Sequence, residues 1–183
     1  INADEKRRVA ELYSINPVPK ELSKLASFDG VTRYLSDSKD DLIVFYNYIS
    51  NSRTAYYLFS IKTQQVVPIT RETAFFKQAK FSSNSDGIYW LSDQEGGFFN
   101  LYYYDLKTQV AIRVNKPELN ITSFKFSPDG KRVAFKINDF GAETLRVFQV
   151  LNNQTTGELP KPDLKLGVIE RYGWKNNEEL GFS

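Results

Sequence analysis

The 183-residue chain contains no cysteine, no histidine and no methionine. Without cysteine there is no disulfide framework, zinc ribbon, iron–sulfur cluster or thiol nucleophile. Without histidine the Ser-His-Asp and Cys-His relays and the usual catalytic zinc sites lose their central member. No catalytic residue, cofactor-binding residue, metal ligand or cofactor is therefore expected in this chain. Charge of one sign is scarce too: 24 Lys and Arg against 22 Asp and Glu leave a formal net charge of +2, with the basic residues scattered. That is too little for the electrostatic footprint of a nucleic-acid binder. No apolar run approaches the roughly 18 residues that span a bilayer, and no charged-then-apolar signal peptide opens the chain. Neither a nucleic-acid partner nor a membrane span is expected, and periplasm and cytoplasm are equally compatible with the composition. A start at Ile1 with no Met anywhere suggests a processed form or a piece of something larger.

What the chain does have is repetition. The stretch Lys80-Phe81-Ser82-Ser83-Asn84-Ser85-Asp86-Gly87-Ile88-Tyr89-Trp90 recurs as Lys125-Phe126-Ser127-Pro128-Asp129-Gly130-Lys131-Arg132-Val133-Ala134-Phe135, and more loosely from Tyr34 to Phe45. Phe45, Trp90 and Phe135 are spaced 45 residues apart, and Ile61, Leu106 and Val150 keep the same period to within one residue. Within each unit, short segments rich in β-branched and aromatic residues are bounded by turn clusters, as strands are. Four such segments fill a unit. The first two are joined by Ser-Pro-Asp-Gly or a relative, in which Pro presets φ, Asp bonds its own backbone and Gly takes a positive φ. The third and fourth are joined by Lys-Thr-Gln or Asn-Asn-Gln turns. A four-stranded antiparallel unit of about 40 to 45 residues is the signature of a β-propeller blade.

The expected fold is thus all-β: a half-blade over 1–28, blades over about 29–70, 71–115 and 116–163, and a half-blade over 164–183. This is the equivalent of four blades in one propeller fragment. A competing reading makes Asn2 to Tyr13 an amphipathic helix capped by Asn2, with Val9, Leu12 and Tyr13 on one face. The repeat register ranks it second, because it predicts a strand from Glu11.

Candidates for chemistry reduce to structure. Ser127-Pro128-Asp129-Gly130 is explained by turn chemistry alone. Glu95-Gly96-Gly97 lies between two strands, whereas a phosphate loop opens a helix. Asp37, Asp40 and Asp41 lack the spacing, Gly and terminal Glu of a calcium loop. Asp93, Glu95, Asp139 and Glu143 offer carboxylate pairs of the glycosidase kind, but any chain this rich in acids does so. No Gly-x-Ser-x-Gly nucleophile elbow occurs. The aromatic run from Phe98 to Tyr104 fits packing between blades better than a stacking platform. Asn120-Ile121-Thr122 and Asn153-Gln154-Thr155 are glycosylation sequons by pattern only.

Four stretches in consistent order resemble the β-propeller of the prolyl oligopeptidase family of serine peptidases, in its dipeptidyl-peptidase and acylaminoacyl-peptidase-like branches. They are Leu42 to Ser50 with Tyr57-Leu58-Phe59-Ser60; Gln78-Ala79-Lys80-Phe81-Ser82 through Ile88 to Glu95 and on to Phe99-Asn100-Leu101; Phe126 to Phe135 with Asn138 and Gly141; and Gly167-Val168-Ile169 with Trp174 and Leu180-Gly181-Phe182-Ser183. The Ser-Pro-Asp-Gly repeat is shared with propellers of the Tol translocation system and of tricorn-type proteases, so it specifies architecture more than activity. In the peptidase family the triad lies in an α/β-hydrolase domain, and none of that domain is in this chain.

The resemblance implies a non-catalytic propeller that gates access to a hydrolase domain of the same parent, with a peptide as the parent's substrate. The rival expectation is an independent protein- or peptide-binding propeller resembling the Tol-system one. If first strands lie innermost, Arg33, Gln78, Ser123 and Arg171 are candidates for a channel wall. The half-blades at either end would leave exposed edges, so a homodimer closed by the terminal strands is expected.

Overall fold

In the computed structural model, which describes residues 9–29, 33–116, 118–160 and 169–183, every regular element is a β-strand. Among the described residues no helix is long and apolar enough to cross a membrane. The chain divides into two compact units, Ile1–Phe75 and Phe76–Ser183.

The first unit opens with a hairpin of β1 (Val9–Asn16) and β2 (Glu21–Asp29), which pair antiparallel with a bulge between Leu12 and Tyr13. The capped-helix reading of Asn2 to Tyr13 is overturned from Val9 onward; its first seven residues lie outside the described residues. The local helical spacing loses because Leu12 pairs with Ala26 across the hairpin and packs onto the following sheet. That sheet is a meander of β3 (Arg33–Lys39), β4 (Leu42–Ser50), β5 (Arg53–Ser60) and β6 (Val66–Pro68), hydrogen-bonded in chain order. Ile43, Phe45 and Phe59 form its core on the hairpin side, covered by Leu12, Leu25, Ala26 and Phe28. The Phe28 ring centre lies 5.2 Å from that of Phe45 and 5.9 Å from that of Phe59. Each such buried ring contributes about 1.5–3 kcal/mol by removal from water.

The second unit holds two more four-stranded meanders and a final pair. They are β7 (Phe76–Phe81), β8 (Gly87–Ser92), β9 (Asn100–Asp105) and β10 (Ala111–Arg113), then β11 (Ile121–Phe126), β12 (Arg132–Asp139), β13 (Ala142–Leu151) and β14 (Gln154–Glu158), then β15 (Tyr172–Trp174) and β16 (Leu180–Phe182). Gly167 and Val168, expected to begin a first strand, lie outside the described residues. Strand alternation puts successive side chains on opposite faces, and here both faces are used. Val133, Phe135 and Ile137 of β12 pack against Tyr89, Leu91, Leu101 and Tyr103 of the preceding sheet. Between them Ala134 packs toward Leu145, Ile169 and Tyr172 on the other side. Strand β8, with a sheet neighbour at each edge, is buried along its whole length.

The repeat is visible in single hydrogen bonds. The amides of Ile61, Leu106 and Val150, the residues that mark the period, donate to the carbonyls of Asp41, Asp86 and Lys131, each at the start of its sheet's second strand (2.8, 3.0 and 2.9 Å). Gln64 and Gln109 take φ of 58° and 59° in the Lys-Thr-Gln turns, and Asn152 and Asn153 take 50° and 59° in the third sheet. Of the two hairpins between first and second strands that carry a Gly, the turn-glycine rule holds in one. Gly130 has φ 73°, but between β7 and β8 the left-handed residue is Ser85, at φ 63°, two positions before Gly87.

Candidate functional site

All three first strands, β3, β7 and β11, lie at one edge of their sheets and carry a bulge. A bulge bends the strand and re-aims a side chain. In β7 the extra residue falls between Lys77 and Lys80, and Gln78 adopts a φ of 56°. Its Nε2 donates to the Phe124 carbonyl of β11 at 2.7 Å, while the Phe124 amide donates to its Oε1 at 3.2 Å. One side chain thus supplies both halves of a backbone-like pairing between first strands of neighbouring sheets. The Ser123 hydroxyl shares a 2.9 Å hydrogen bond with the Tyr172 hydroxyl of β15, and the Lys125 ammonium donates to the Tyr172 carbonyl. Of the expected channel residues, then, Gln78 and Ser123 tie first strands together. Arg171 is exposed immediately before β15, and Arg33 opens β3 opposite Asn47. Sequence reasoning missed the pairing of Lys125 with Tyr172: Lys125 stands in the repeat as the counterpart of Lys80, but nothing in the repeat marks its bond to a residue 47 positions later.

Two cavities lie between the β7–β10 and β11–β14 sheets, one at each end. The cavity at the turn end, about 550 Å³, is walled by Phe81, Tyr89, Phe126 and Val150 under a rim of turn residues. Its polar groups serve one another. Asp86 accepts hydrogen bonds from Ser82, Asn84 and Tyr103 at 2.7, 2.6 and 2.7 Å, and Tyr89 donates to Asn153 Oδ1 at 2.7 Å. Burial first, and the Asp86 carboxylate after it, pushes the Tyr89 and Tyr103 hydroxyls well above the usual phenol range. The Asn153 side chain of the second sequon is thereby engaged, and its Thr155 is buried against the Val114 carbonyl.

The cleft at the loop end, about 470 Å³, is different in kind. Its floor is Leu119 and Ile137, both buried, and its rim carries Phe98, Glu118, Asp139 and Phe140. A buried polar network places these walls. Asn115 Nδ2 donates to Asn100 Oδ1 at 2.7 Å, Asn115 Oδ1 accepts from the Leu101 amide at 2.8 Å, and Asn100 Nδ2 reaches the Phe98 carbonyl at 3.2 Å. The Ile121 amide donates to the Phe99 carbonyl, and the Asn138 amide to the Asn120 carbonyl, each at 2.9 Å. The loop bearing Phe98, the segment bearing Glu118 and the hairpin bearing Phe140 are thus held from beneath.

The charges around this end are mostly spent. Glu95 pairs with Arg113 at 3.1 Å and Glu143 with Lys136 at 2.9 Å, so two of the four carboxylates with glycosidase-like potential are held in ion pairs. Arg146, on the cleft's outer wall, bonds Glu158 through Nε and Nη2, which raises its pKa. The Lys77 ammonium sits 3.7 Å from the Phe99 ring centre; burial pushes its pKa down, partly opposed by Asp93. The side chains of Glu118 and Asp139 make no hydrogen bond or close ion pair among the described residues, although the Asp139 charge contributes to raising Arg146.

No protein-family model matches the chain, and no curated protein matches it by sequence. Solved structures do. TolB from Acinetobacter baumannii aligns with a TM-score of 0.62 at 20% identity, over 86% of this chain and 41% of that one. A prolyl endopeptidase structure aligns with a TM-score of 0.65 at 13% identity, over 98% of this chain and 30% of that one. The β-propeller domain of the Trilobed protease from Pyrococcus furiosus aligns with a TM-score of 0.56 at 16% identity, over 82% of this chain and 57% of that one. The chain therefore spans less than two thirds of the length of each. At these identities the likeness is one of fold: three four-stranded β-propeller blades and two half-blades, built like the propellers of both TolB and peptidases.

Proposed function

We propose that this chain is the substrate-gating propeller segment of a prolyl-oligopeptidase-like serine peptidase, inert by itself and acting with an α/β-hydrolase domain of the same parent. The observation that carries this reading is the alignment of nearly the whole chain with under a third of a prolyl endopeptidase. The absence of histidine agrees with it, since the Ser-His-Asp relay of that family needs a histidine that this chain does not contain. In this role the propeller limits access to short or unfolded peptides. Arg33, Gln78, Ser123 and Arg171 line the path in this reading, with Gln78 and Ser123 tying neighbouring strands and Arg171 exposed just before β15. The gene sequence beyond Ser183 tests the proposal. A Gly-x-Ser-x-Gly elbow followed in order by Asp and His supports it, and a stop codon directly after Ser183 overturns it. Hydrolysis of a chromogenic peptide anilide by this chain alone would contradict its inertness.

The second reading, an independent peptide- or protein-binding propeller, is supported by the 20% identity to TolB, higher than to either protease structure above. A stop codon directly after Ser183 in the gene would favour it.

As an isolated chain the protein closes into a homodimer through its terminal strands. The β1–β2 and β15–β16 sheets have two strands each, and Leu180 to Phe182 presents an edge with Phe182 46% exposed. Pairing β16 of one copy with β1 of another completes a four-stranded sheet and removes two open edges. Light scattering should return twice the 21.1 kDa chain mass, and a single-chain mass at high concentration overturns the dimer. Deleting Glu179 to Ser183 should leave monomer or aggregate.

A further inference from the structure

The loop-end cleft contains an aromatic ring that folding does not account for. Asp139 and Ala142 are the last paired residues of β12 and β13, so Phe140 and Gly141 form a two-residue loop. Both have positive φ, 50° and 93°, the type I′ geometry that favours Asn-Gly or Asp-Gly. The Asn138 side chain completes the turn by accepting from the Gly141 amide at 2.9 Å. Phe140 is a bulky residue in a conformation that disfavours it, and it is fully exposed. Across the cleft stands Phe98, 48% exposed, at the end of a loop whose Gly96 and Gly97 have positive φ and open space around them. That loop can adjust its aromatic side chain to a guest.

Charge decides the guest. Of the charged groups lining the cleft, Arg146 is neutralised chiefly by Glu158, with a smaller charge interaction from Asp139, whereas the Glu118 and Asp139 side chains are exposed and make no hydrogen bond or close ion pair among the described residues. The cleft thus presents two negative charges beside two aromatic rings and an apolar floor. Aromatic faces attract cations, and the aliphatic stem of a long basic side chain suits a floor of Leu119 and Ile137. The volume of about 470 Å³ lies within the range of small-molecule sites and accommodates a basic side chain with its flanking backbone.

We propose that this cleft binds peptide segments through a Lys or Arg side chain, with the stem on Leu119 and Ile137, the cation between Phe98 and Phe140, and its charge facing Glu118 and Asp139. That the ligand is a peptide rests on the peptide-handling role proposed above; that it is cationic rests on the cleft itself.

The test is an NMR titration of the full isotope-labelled chain with acetyl-Ala-Arg-Ala-amide and with its norleucine and Glu counterparts. The Arg peptide should shift the amides of residues 96–99, 118–120 and 138–141 and bind about tenfold more tightly than the norleucine peptide, as a desolvated cation–aromatic contact with charge support allows. Raising salt should weaken it. The Glu118→Gln/Asp139→Asn double variant should lose that preference. Phe140→Asn should also weaken Arg binding while the melting temperature holds or rises, because Asn suits the turn, and this separates loss of the ring from loss of the fold. Equal binding of Arg and norleucine peptides, shifts confined to other residues, or no shift at about 10 mM peptide overturns the proposal. Failure here leaves the hydrolase-motif test beyond Ser183 untouched, so the two readings fail separately.

Discussion

Gly87→Ala should destabilise the protein through a single buried ring. Gly87 opens β8 opposite Asp105, and its φ is not in the left-handed region, so conformational freedom is not why glycine stands there. Space is the reason. A Cβ on Gly87 would lie 2.5 Å from the Tyr103 hydroxyl oxygen and closer still to Cζ and Cε2. Tyr103 cannot step aside freely. It is 2% exposed, its ring centre is 4.9 Å from that of Tyr89, and its hydroxyl donates to Asp86 at 2.7 Å. Overpacking of this kind costs about 1–3 kcal/mol. Displacing the ring also breaks the bond to Asp86, and because that carboxylate is solvent-exposed about 1 kcal/mol is the fitting figure. The sum, about 2–4 kcal/mol, corresponds in a chain of this size to a fall in melting temperature of roughly 4–16 °C. Thermal melts followed by far-UV circular dichroism and the near-UV aromatic signal measure it. In a Tyr103→Ala background the obstacle is gone and the same Gly87→Ala change should cost less than about 0.5 kcal/mol, giving a strong coupling in the double-mutant cycle. If Gly87→Ala alone melts like the parent, or if the two changes are additive, the steric account is wrong.

Three further outcomes are expected. Gln78→Leu removes both bonds to β11 and leaves the buried Phe124 amide and carbonyl without them, so denaturant unfolding should show a loss of about 2–4 kcal/mol; a loss below about 0.5 kcal/mol would show that the clip is dispensable. Gln109→Gly, at an exposed position with φ 59°, trades a left-handed side chain for glycine and should raise stability by about 0.5–1 kcal/mol, whereas Gln109→Val should lower it. Burial raises the Tyr172 hydroxyl to about 12 and pushes Tyr89 and Tyr103 further up. These groups favour the folded state fully below the unfolded phenol value of about 10, and that stability is lost as pH climbs from there through their folded values. Phenolate absorbance and near-UV dichroism should therefore change together in alkali; complete ionisation near pH 10 with the fold intact would contradict the burial.

The sequence by itself determined the architecture, because blades are specified by short-range rules. A period-2 pattern of apolar residues, turn residues at fixed offsets and a 45-residue repeat are all local, and the Ile61, Leu106 and Val150 register reappears as one recurring hydrogen bond. Local rules fail where two segments compete for one space. Gly87 reads as a turn glycine, yet the left-handed residue is Ser85 and Gly87 makes room for Tyr103, a ring placed by a different strand. The helical spacing of Asn2 to Tyr13 is as good locally as the strand reading, and from Val9 the partner across the hairpin decides for the strand. Gln78 was identifiable as a first-strand residue, but its two-ended bond to Phe124, 46 positions later, exists only because two sheets pack side by side. The loop-end cleft is the extreme case. Phe98 and Asp139 stood out only as part of an aromatic run and of a set of acids, Glu118 and Phe140 not at all, and only tertiary structure decides that the four share a cavity, since the distance between segments so far apart is set by packed faces and a buried Asn100–Asn115 pair rather than by any local preference of the chain.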